Sequence, residues 1–379
     1  MTIKVKLIGD SSMKKRWLLL LVILMGVSIF VGCNSKSGTI PTDEKYHEAY
    51  DTQYNFKVTP IPVSIMNTEN GLYEITDNKL YYVENGEKVI MCNKPDCTHD
   101  ISDGCEALAM QYAQIESYND RICYLYENNG KIAIMTIKKD GSDRKELLTL
   151  DDYDSIISYI IHRGKLIFIY QNSTDKINDS GIVYENGVAV CNLQDKTITQ
   201  IMPNRESVNS TDSYDGLTAY GNTVYFFENS ELDGSCTLYE YSLADSKLST
   251  NQVSQDYPVY EMKWITEDYM YLTNPYLNNM KKILIQSDRD GQNVKEMAES
   301  DLFDDIYTNG NYILIKSNED SKLTIYDMNF TKLSESDVTS SDTDYIVIAG
   351  FDNNTAYFKG ETCVRILELE HPEKYIEVD

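Results

Sequence analysis

From about residue 60 onward, apolar and β-branched positions alternate with polar ones in short runs, and Asn, Gly, Asp and Ser sit between the runs. A period of two places successive side chains on opposite faces of an extended backbone, so the pattern predicts short antiparallel strands rather than helices. The stretch 304–338 shows this most clearly. Asp305-Ile306-Tyr307-Thr308 and Tyr312-Ile313-Leu314-Ile315-Lys316 flank Gly310-Asn311, while Leu323-Thr324-Ile325-Tyr326-Asp327 and Lys332-Leu333-Ser334 flank Asn329-Phe330. Two such hairpins in succession make a unit of four strands.

The unit recurs. Its landmark is a turn pair followed by an apolar-aromatic strand: Asn78-Lys79-Leu80-Tyr81-Tyr82, Asp120-Arg121-Ile122-Cys123-Tyr124, Gly164-Lys165-Leu166-Ile167-Phe168 and Asn222-Thr223-Val224-Tyr225-Phe226 come first. Asp268-Tyr269-Met270-Tyr271-Leu272, Asn311-Tyr312-Ile313-Leu314-Ile315 and Asn354-Thr355-Ala356-Tyr357-Phe358 follow. Successive landmarks stand 42–46 residues apart, with one gap of 58 between Leu166 and Val224. A second hairpin also repeats, as in Ile132–Ile137, Asp140-Gly141, Lys145–Leu148 and again in Ile283–Ile285, Asp290-Gly291, Val294–Met297. Asp-Gly marks a hairpin because Gly accepts the positive φ of a tight turn. A period of about 40–50 residues with four strands per unit predicts an all-β fold, a β-propeller of four-stranded antiparallel blades over 58–379. Seven blades are expected and six are the alternative, since the first unit turns irregular after Cys92. A two-layer sandwich would not need the landmark so often.

The N-terminus supplies an address. Met13-Lys14-Lys15-Arg16 begins a basic region and is the probable true start; residues 17–30 form an apolar run, short for a membrane span and suited to a signal-peptide core. The run ends in Phe30-Val31-Gly32-Cys33, which resembles the bacterial lipobox, with Phe30 departing from the usual Leu. The resemblance implies that 1–33 is a lipoprotein signal peptide, that Cys33 carries the lipid, and that the protein hangs from the extracytoplasmic face of the cell membrane. Residues 34–57 are polar and without alternation, and read as a flexible tether.

Charge narrows the partners. The net charge is −26; within 1–33, five basic side chains stand against Asp10, so the remainder carries about −30. That balance argues against nucleic acid and against lying flat on anionic lipid. It suits a solvated surface, and a monomer is expected. Tyr occurs thirty times and Trp twice, which fits half-buried strands whose ends meet water.

Chemistry-bearing residues concentrate in one place. Cys92-Asn93-Lys94-Pro95-Asp96-Cys97-Thr98-His99 runs on to Cys105, bringing three thiols and one imidazole into a short span behind the first unit. A disulfide such as Cys97–Cys105 or Cys92–Cys105, a Cys3His metal site suited to Zn²⁺, and free thiols all remain open. Cys123, Cys191, Cys236 and Cys363 each stand alone in an apolar strand and read as small buried hydrophobes. The Cys-Asn-Lys-Pro segment behind a lipobox resembles a group of uncharacterised propeller lipoproteins of anaerobic Gram-positive bacteria, more distantly similar to low-density-lipoprotein-receptor-type and TolB-like propellers. The resemblance implies fold and surface location and transfers no catalytic residue.

Catalytic motifs are missing from the sequence. It contains no Gly-x-Ser-x-Gly elbow, no His-Glu-x-x-His and no phosphate loop, and Asp288-Arg289-Asp290-Gly291 reads as a turn rather than a calcium loop. Propellers usually bind on the face bearing the loops between second and third strands. The long loops here, at 171–181, 203–215, 228–235 and 273–280, nominate a ligand rim of Tyr214, Asp215, Glu231, Asp233 and Tyr276. The expected function is therefore a membrane-anchored binding or interaction module for a protein, peptide or carbohydrate. The alternatives are a lyase or hydrolase with a central-channel site, and a metal- or redox-responsive surface protein using the Cys92–Cys105 loop.

Overall fold

A computed structural model describes residues 39–47, 50–51, 65–68, 71–84, 87–100, 103–110, 114–128, 130–178, 181–208, 214–229, 236–252, 261–274, 281–301, 304–317, 319, 322–337, 347–351, 355–359, 364–369 and 375–378. The chain divides into two units, Met1–Ile40 and Pro41–Asp379; in the first only Thr39 and Ile40 are described. The expected signal peptide, 1–33, and the expected lipid-bearing Cys33 thus lie outside the described residues. Among those residues there is no helix long and apolar enough to cross a membrane.

Among the described residues the second unit is all-β, and its strands assort into seven antiparallel sheets within 65–90, 115–149, 155–208, 214–252, 261–301, 305–337 and 347–378. Six have four strands, and the third has a fifth. In sequence order the first strands of neighbouring sheets lie side by side from the second sheet to the sixth, and Ile65–Thr68 of the first sheet touches both Ile115–Tyr118 and Val347–Phe351. First and last sheets therefore meet, and the ring closes as a β-propeller. Closure leaves few strand edges open.

The landmark works as a packing register. Its leading apolar residues, Leu80, Ile122, Leu166, Val224, Met270, Ile313 and Ala356, are each 0% exposed. These side chains fill the seams between sheets. One buried cluster joins the first three sheets, others join third to fourth and fourth to fifth, and a fourth cluster joins the last three. The preceding turns need positive φ, supplied by Asp77-Asn78, Asn119-Asp120, Gly221 and Gly310. In the third sheet the same place is held by Arg163 at φ 46° followed by Gly164.

Two features depart from the expected pattern. In six sheets the landmark strand is second, whereas in the first sheet Lys79–Glu84 is third, because Ile65–Thr68 precedes it. The sheet is complete at Glu87–Ile90, and the cysteine loop that follows returns beside Lys79 through the Lys79–Leu108 bridge. The expected long loop at 171–181 is instead a continuation of strands. Lys165–Asn178 and Gly181–Asn192 stay paired out to Asn178 and Gly181 across a bulge between Ser173 and Ile177, and Arg205–Val208 adds a fifth strand against Val183–Asn186. Ser, Thr and Asn in that segment masked a ladder that depends on backbone pairing rather than on apolar side chains.

Candidate metal centre and the two faces of the propeller

The cysteine loop is built from its backbone outward. Leu80 N donates to Ala107 O at 2.8 Å and Ala109 N to Asn78 O at 2.9 Å, so the return leg lies along the start of the landmark strand. Asp96 at φ 58°, His99 at 62° and Gly104 at 56° turn the chain back on itself. Lys94 Nζ donates to the carbonyls of Asp103 and Gly104 at 3.0 and 2.8 Å, and Asp103 Oδ2 accepts from both Thr98 N and Thr98 Oγ1 at 2.7 Å. With the loop held this way, one donor atom each from Cys92, Cys97, His99 and Cys105 lies within 4.8 Å of all the others. Cys105 Sγ stands 3.6 Å from His99 Nδ1.

The thiols are free, with Cys105 buried and Cys92 and Cys97 half-buried. Burial pushes the Cys92 thiol up, but the amides of Lys94 and Glu106 and the neighbouring thiols outweigh it and bring it down to about 7. Burial pushes Cys105 up to about 12, with Cys92 adding to the rise. Cys123 and Cys191 are wholly buried in strands, and burial raises both thiols. Cys363 lies outside the described residues.

A second constellation, absent from the sequence reading, holds the segment 41–51. Arg163 donates from Nε and Nη2 to the two Asp51 carboxylate oxygens at 2.6 and 2.7 Å. It also donates to the carbonyls of Pro41, Asp43 and Lys45 at 3.0, 2.7 and 2.7 Å. Arg163 is 5% exposed and Asp51 3%. Nearby, the Glu44 carboxylate accepts from Thr223 Oγ1 at 3.0 Å and pairs with Arg289 at 3.4 Å. His162 Nε2 lies 2.7 Å from the Gly221 carbonyl.

These contacts define a face. Arg163 sits in the turn between the first and second strands of the third sheet, Gly221 and Asn222 in the matching turn of the fourth, and Arg289 in the turn between the third and fourth strands of the fifth. Asp288 N donates to Gln292 O and Gly291 N to Asp288 O there, each at 2.9 Å, which closes the hairpin turn. The segment 41–51 therefore lies across the turn face. In the third sheet the hairpin between second and third strands is at the far end of Lys165–Asn178, about 40 Å away at the usual rise per residue.

The nominated rim residues fare differently. Tyr214 begins the first strand of the fourth sheet but is buried, packed edge-on against Phe226 and Tyr239 at 5.9 and 6.2 Å. Asp215 beside it is half-buried; burial raises its carboxyl, against the Gly216 amide that donates to it at 2.7 Å, with Glu261 raising and Lys263 lowering it. Glu231, Asp233 and Tyr276 lie outside the described residues. The structure adds charged groups on the inner strands that sequence reading passed over. Lys263 pairs with Glu261 at 2.8 Å and lies 4.8 Å from the Tyr307 ring, and Lys316 pairs with Asp305 at 3.7 Å. Burial lowers Lys282 and Lys316, while the carboxylate of Asp305 opposes it. The signal was a charge inside an apolar run, as in Met262-Lys263-Trp264.

Ring closure, seven stacked sheets and a separate turn face and hairpin face define a β-propeller. No protein-family model and no curated protein matches the chain. Solved structures similar to it include a prolyl endopeptidase (TM-score 0.56, 10% identity, 83% of this chain and 49% of that one). Prolyl oligopeptidase B from Galerina marginata is similar at TM-score 0.51 and 11% identity over 81% of this chain and 48% of that one. An oligogalacturonate lyase in complex with manganese aligns at TM-score 0.52 and 11% identity, over 89% of this chain and 96% of that one. The chain spans about half the length of the peptidases it matches. Likeness at this identity shows the fold alone.

Proposed function

We propose that the chain is a binding module held at the extracytoplasmic face of a bacterial cell membrane by lipid on Cys33, with its hairpin face turned outward to a protein, peptide or carbohydrate. The observation that carries this is the capture of segment 41–51 by Arg163 on the turn face. Seven residues lie between Cys33 and Pro41, a reach of at most about 26–29 Å. A lipid on Cys33 would therefore hold the turn face near the membrane and leave the opposite face free. Asp215, at the start of the first strand of the fourth sheet, stands at that free face with Tyr214 packed beneath it, and Glu231, Asp233 and Tyr276 complete the rim expected from the sequence.

Two measurements on intact cells test this. An alkyne-tagged fatty acid should label the wild-type chain and leave Cys33→Ser unlabelled; equal labelling of both ends the anchoring. A photo-crosslinker at exposed Asp175, on the hairpin face, should trap a defined partner that one at exposed Ser246, on the turn face, does not. Trapping from Ser246 alone would put the binding surface on the wrong side.

A second reading, a lyase acting through charged groups at the seam of the fifth and sixth sheets, is favoured by Lys282 and Lys316 near Asp305. Incubation with oligogalacturonate and Mn²⁺, followed by absorbance of the unsaturated product, separates the two. The binding module yields none.

A further inference from the structure

We infer that Cys92, Cys97, His99 and Cys105 form a closed site for one zinc ion, which locks the loop that follows the fourth strand of the first sheet. The inference is independent of what the hairpin face binds.

Donor geometry is the first support. Zinc–sulfur and zinc–nitrogen bonds of about 2.3 and 2.0 Å in a tetrahedron place donors about 3.5–3.8 Å apart. The 3.6 Å between Cys105 Sγ and His99 Nδ1 falls on that value, and all four donors already lie within 4.8 Å of one another. A contraction of about 1 Å or less completes the tetrahedron. A disulfide needs sulfurs about 2.0 Å apart and would consume two thiols, leaving the third beside the imidazole.

Chemistry and surroundings agree. Three thiols and one imidazole suit Zn²⁺, and four protein donors leave no open position, the mark of a structural rather than a catalytic site. Amides of Lys94 and Glu106 point hydrogen bonds at the Cys92 sulfur and that of Ala107 at Cys105, the outer shell that a metal-bound thiolate requires. The nearby carboxylates are otherwise engaged, since Asp100 and Asp103 accept from Thr98. On binding, the thiol protons of Cys92, Cys97 and Cys105 are released to solvent and the sulfurs bond to the metal, with no change of oxidation state.

The ion would also tie neighbouring sheets. Met91 and Cys92 press against Gly141, in the turn between the third and fourth strands of the second sheet, where an added Cβ would come 3.2 Å from the Met91 carbonyl carbon. Tyr124 Oη, in the second sheet, donates to the Glu106 carbonyl at 3.1 Å, one residue past Cys105. The loop thus bears on the seam between first and second sheets.

The test uses the full chain purified in detergent without chelator. Elemental analysis should find about one zinc per chain, and replacement by Co²⁺ should give the ligand-field bands of a tetrahedral site with thiolate-to-cobalt charge transfer. Cys97→Ser and Cys105→Ser should each lower zinc retention about tenfold or more. His99→Cys keeps four donors and should retain the metal with a stronger charge-transfer band, which separates ligand loss from misfolding. Wild-type chain with a disulfide in this loop by mass before reduction, a Co²⁺ spectrum without thiolate charge transfer, or unchanged zinc in both serine variants would each overturn the site.

Discussion

Arg163 is the residue whose placement is hardest to explain without a purpose. It occupies a left-handed turn position that Asp, Asn or Gly fills in the first, second, fourth and sixth sheets, a conformation costing a non-glycine residue about 1 kcal/mol or more. Its guanidinium instead serves five acceptors on the segment 41–51. Removing one partner of a buried ion pair leaves the other uncompensated, so Arg163→Ala should lower unfolding free energy by about 3–5 kcal/mol in urea titration. An effect below about 1 kcal/mol would mean that the segment is not held there. Gly221 gives an independent check, because a Cβ on it would stand 2.5 Å from the Glu44 carbonyl oxygen at a φ of +58°. Gly221→Ala should make 41–51 susceptible to limited proteolysis while the sheets stay intact.

His162, the neighbour of Arg163, brings a pH dependence. Burial lowers its pKa from 6.5; the Gly221 carbonyl and Asp51 oppose that, and Arg163 reinforces it. The unfolded chain therefore takes up the proton first. Stability should be level above about pH 6.5 and fall as pH drops below it, until the folded form also protonates. His162→Gln should flatten that slope, and an unchanged slope would assign it to other groups.

At the level of elements, the strands were legible because alternation and turn chemistry agree in nearly every unit. The Asp305–Thr308, Tyr312–Lys316 and Lys322–Asp327 strands fall within a residue of where the apolar runs put them. The landmark was legible for a deeper reason, since its leading residue is the one each seam buries. Ile122→Ala should cost about 2–5 kcal/mol by thermal or urea unfolding, because its site is wholly buried between sheets. Other parts were hidden. The Lys165–Asn178 strand runs through Asn172-Ser173-Thr174-Asp175, which reads as loop by composition. The Arg163 contact joins residues over a hundred positions apart, and no local pattern announces it. The thiol cluster was visible by spacing, but its convergence depends on the left-handed turns at Asp96, His99 and Gly104. Gly141→Ala, at φ +78° and against Met91, should destabilise the second sheet by about 1–2 kcal/mol and also weaken metal retention by the loop, as read by zinc content.

At the scale of the molecule, the ring separates a turn face from a hairpin face. The turn face carries the captured segment 41–51, and the hairpin face carries the extended third sheet, whose added strand Arg205–Val208 reaches the fourth sheet through the Arg205–Glu228 ion pair. The charge of about −30 beyond residue 33 opposes close approach of the propeller to anionic lipid. Orientation is therefore the most direct test. The lipidated chain would be reconstituted in vesicles containing acceptor-labelled lipid, with a donor fluorophore placed either at Ser246 on the turn face or at Asp175 on the hairpin face. Energy transfer to the bilayer should be markedly stronger from Ser246; equal transfer from both, or stronger transfer from Asp175, would contradict a propeller held by its turn face with its hairpin face outward.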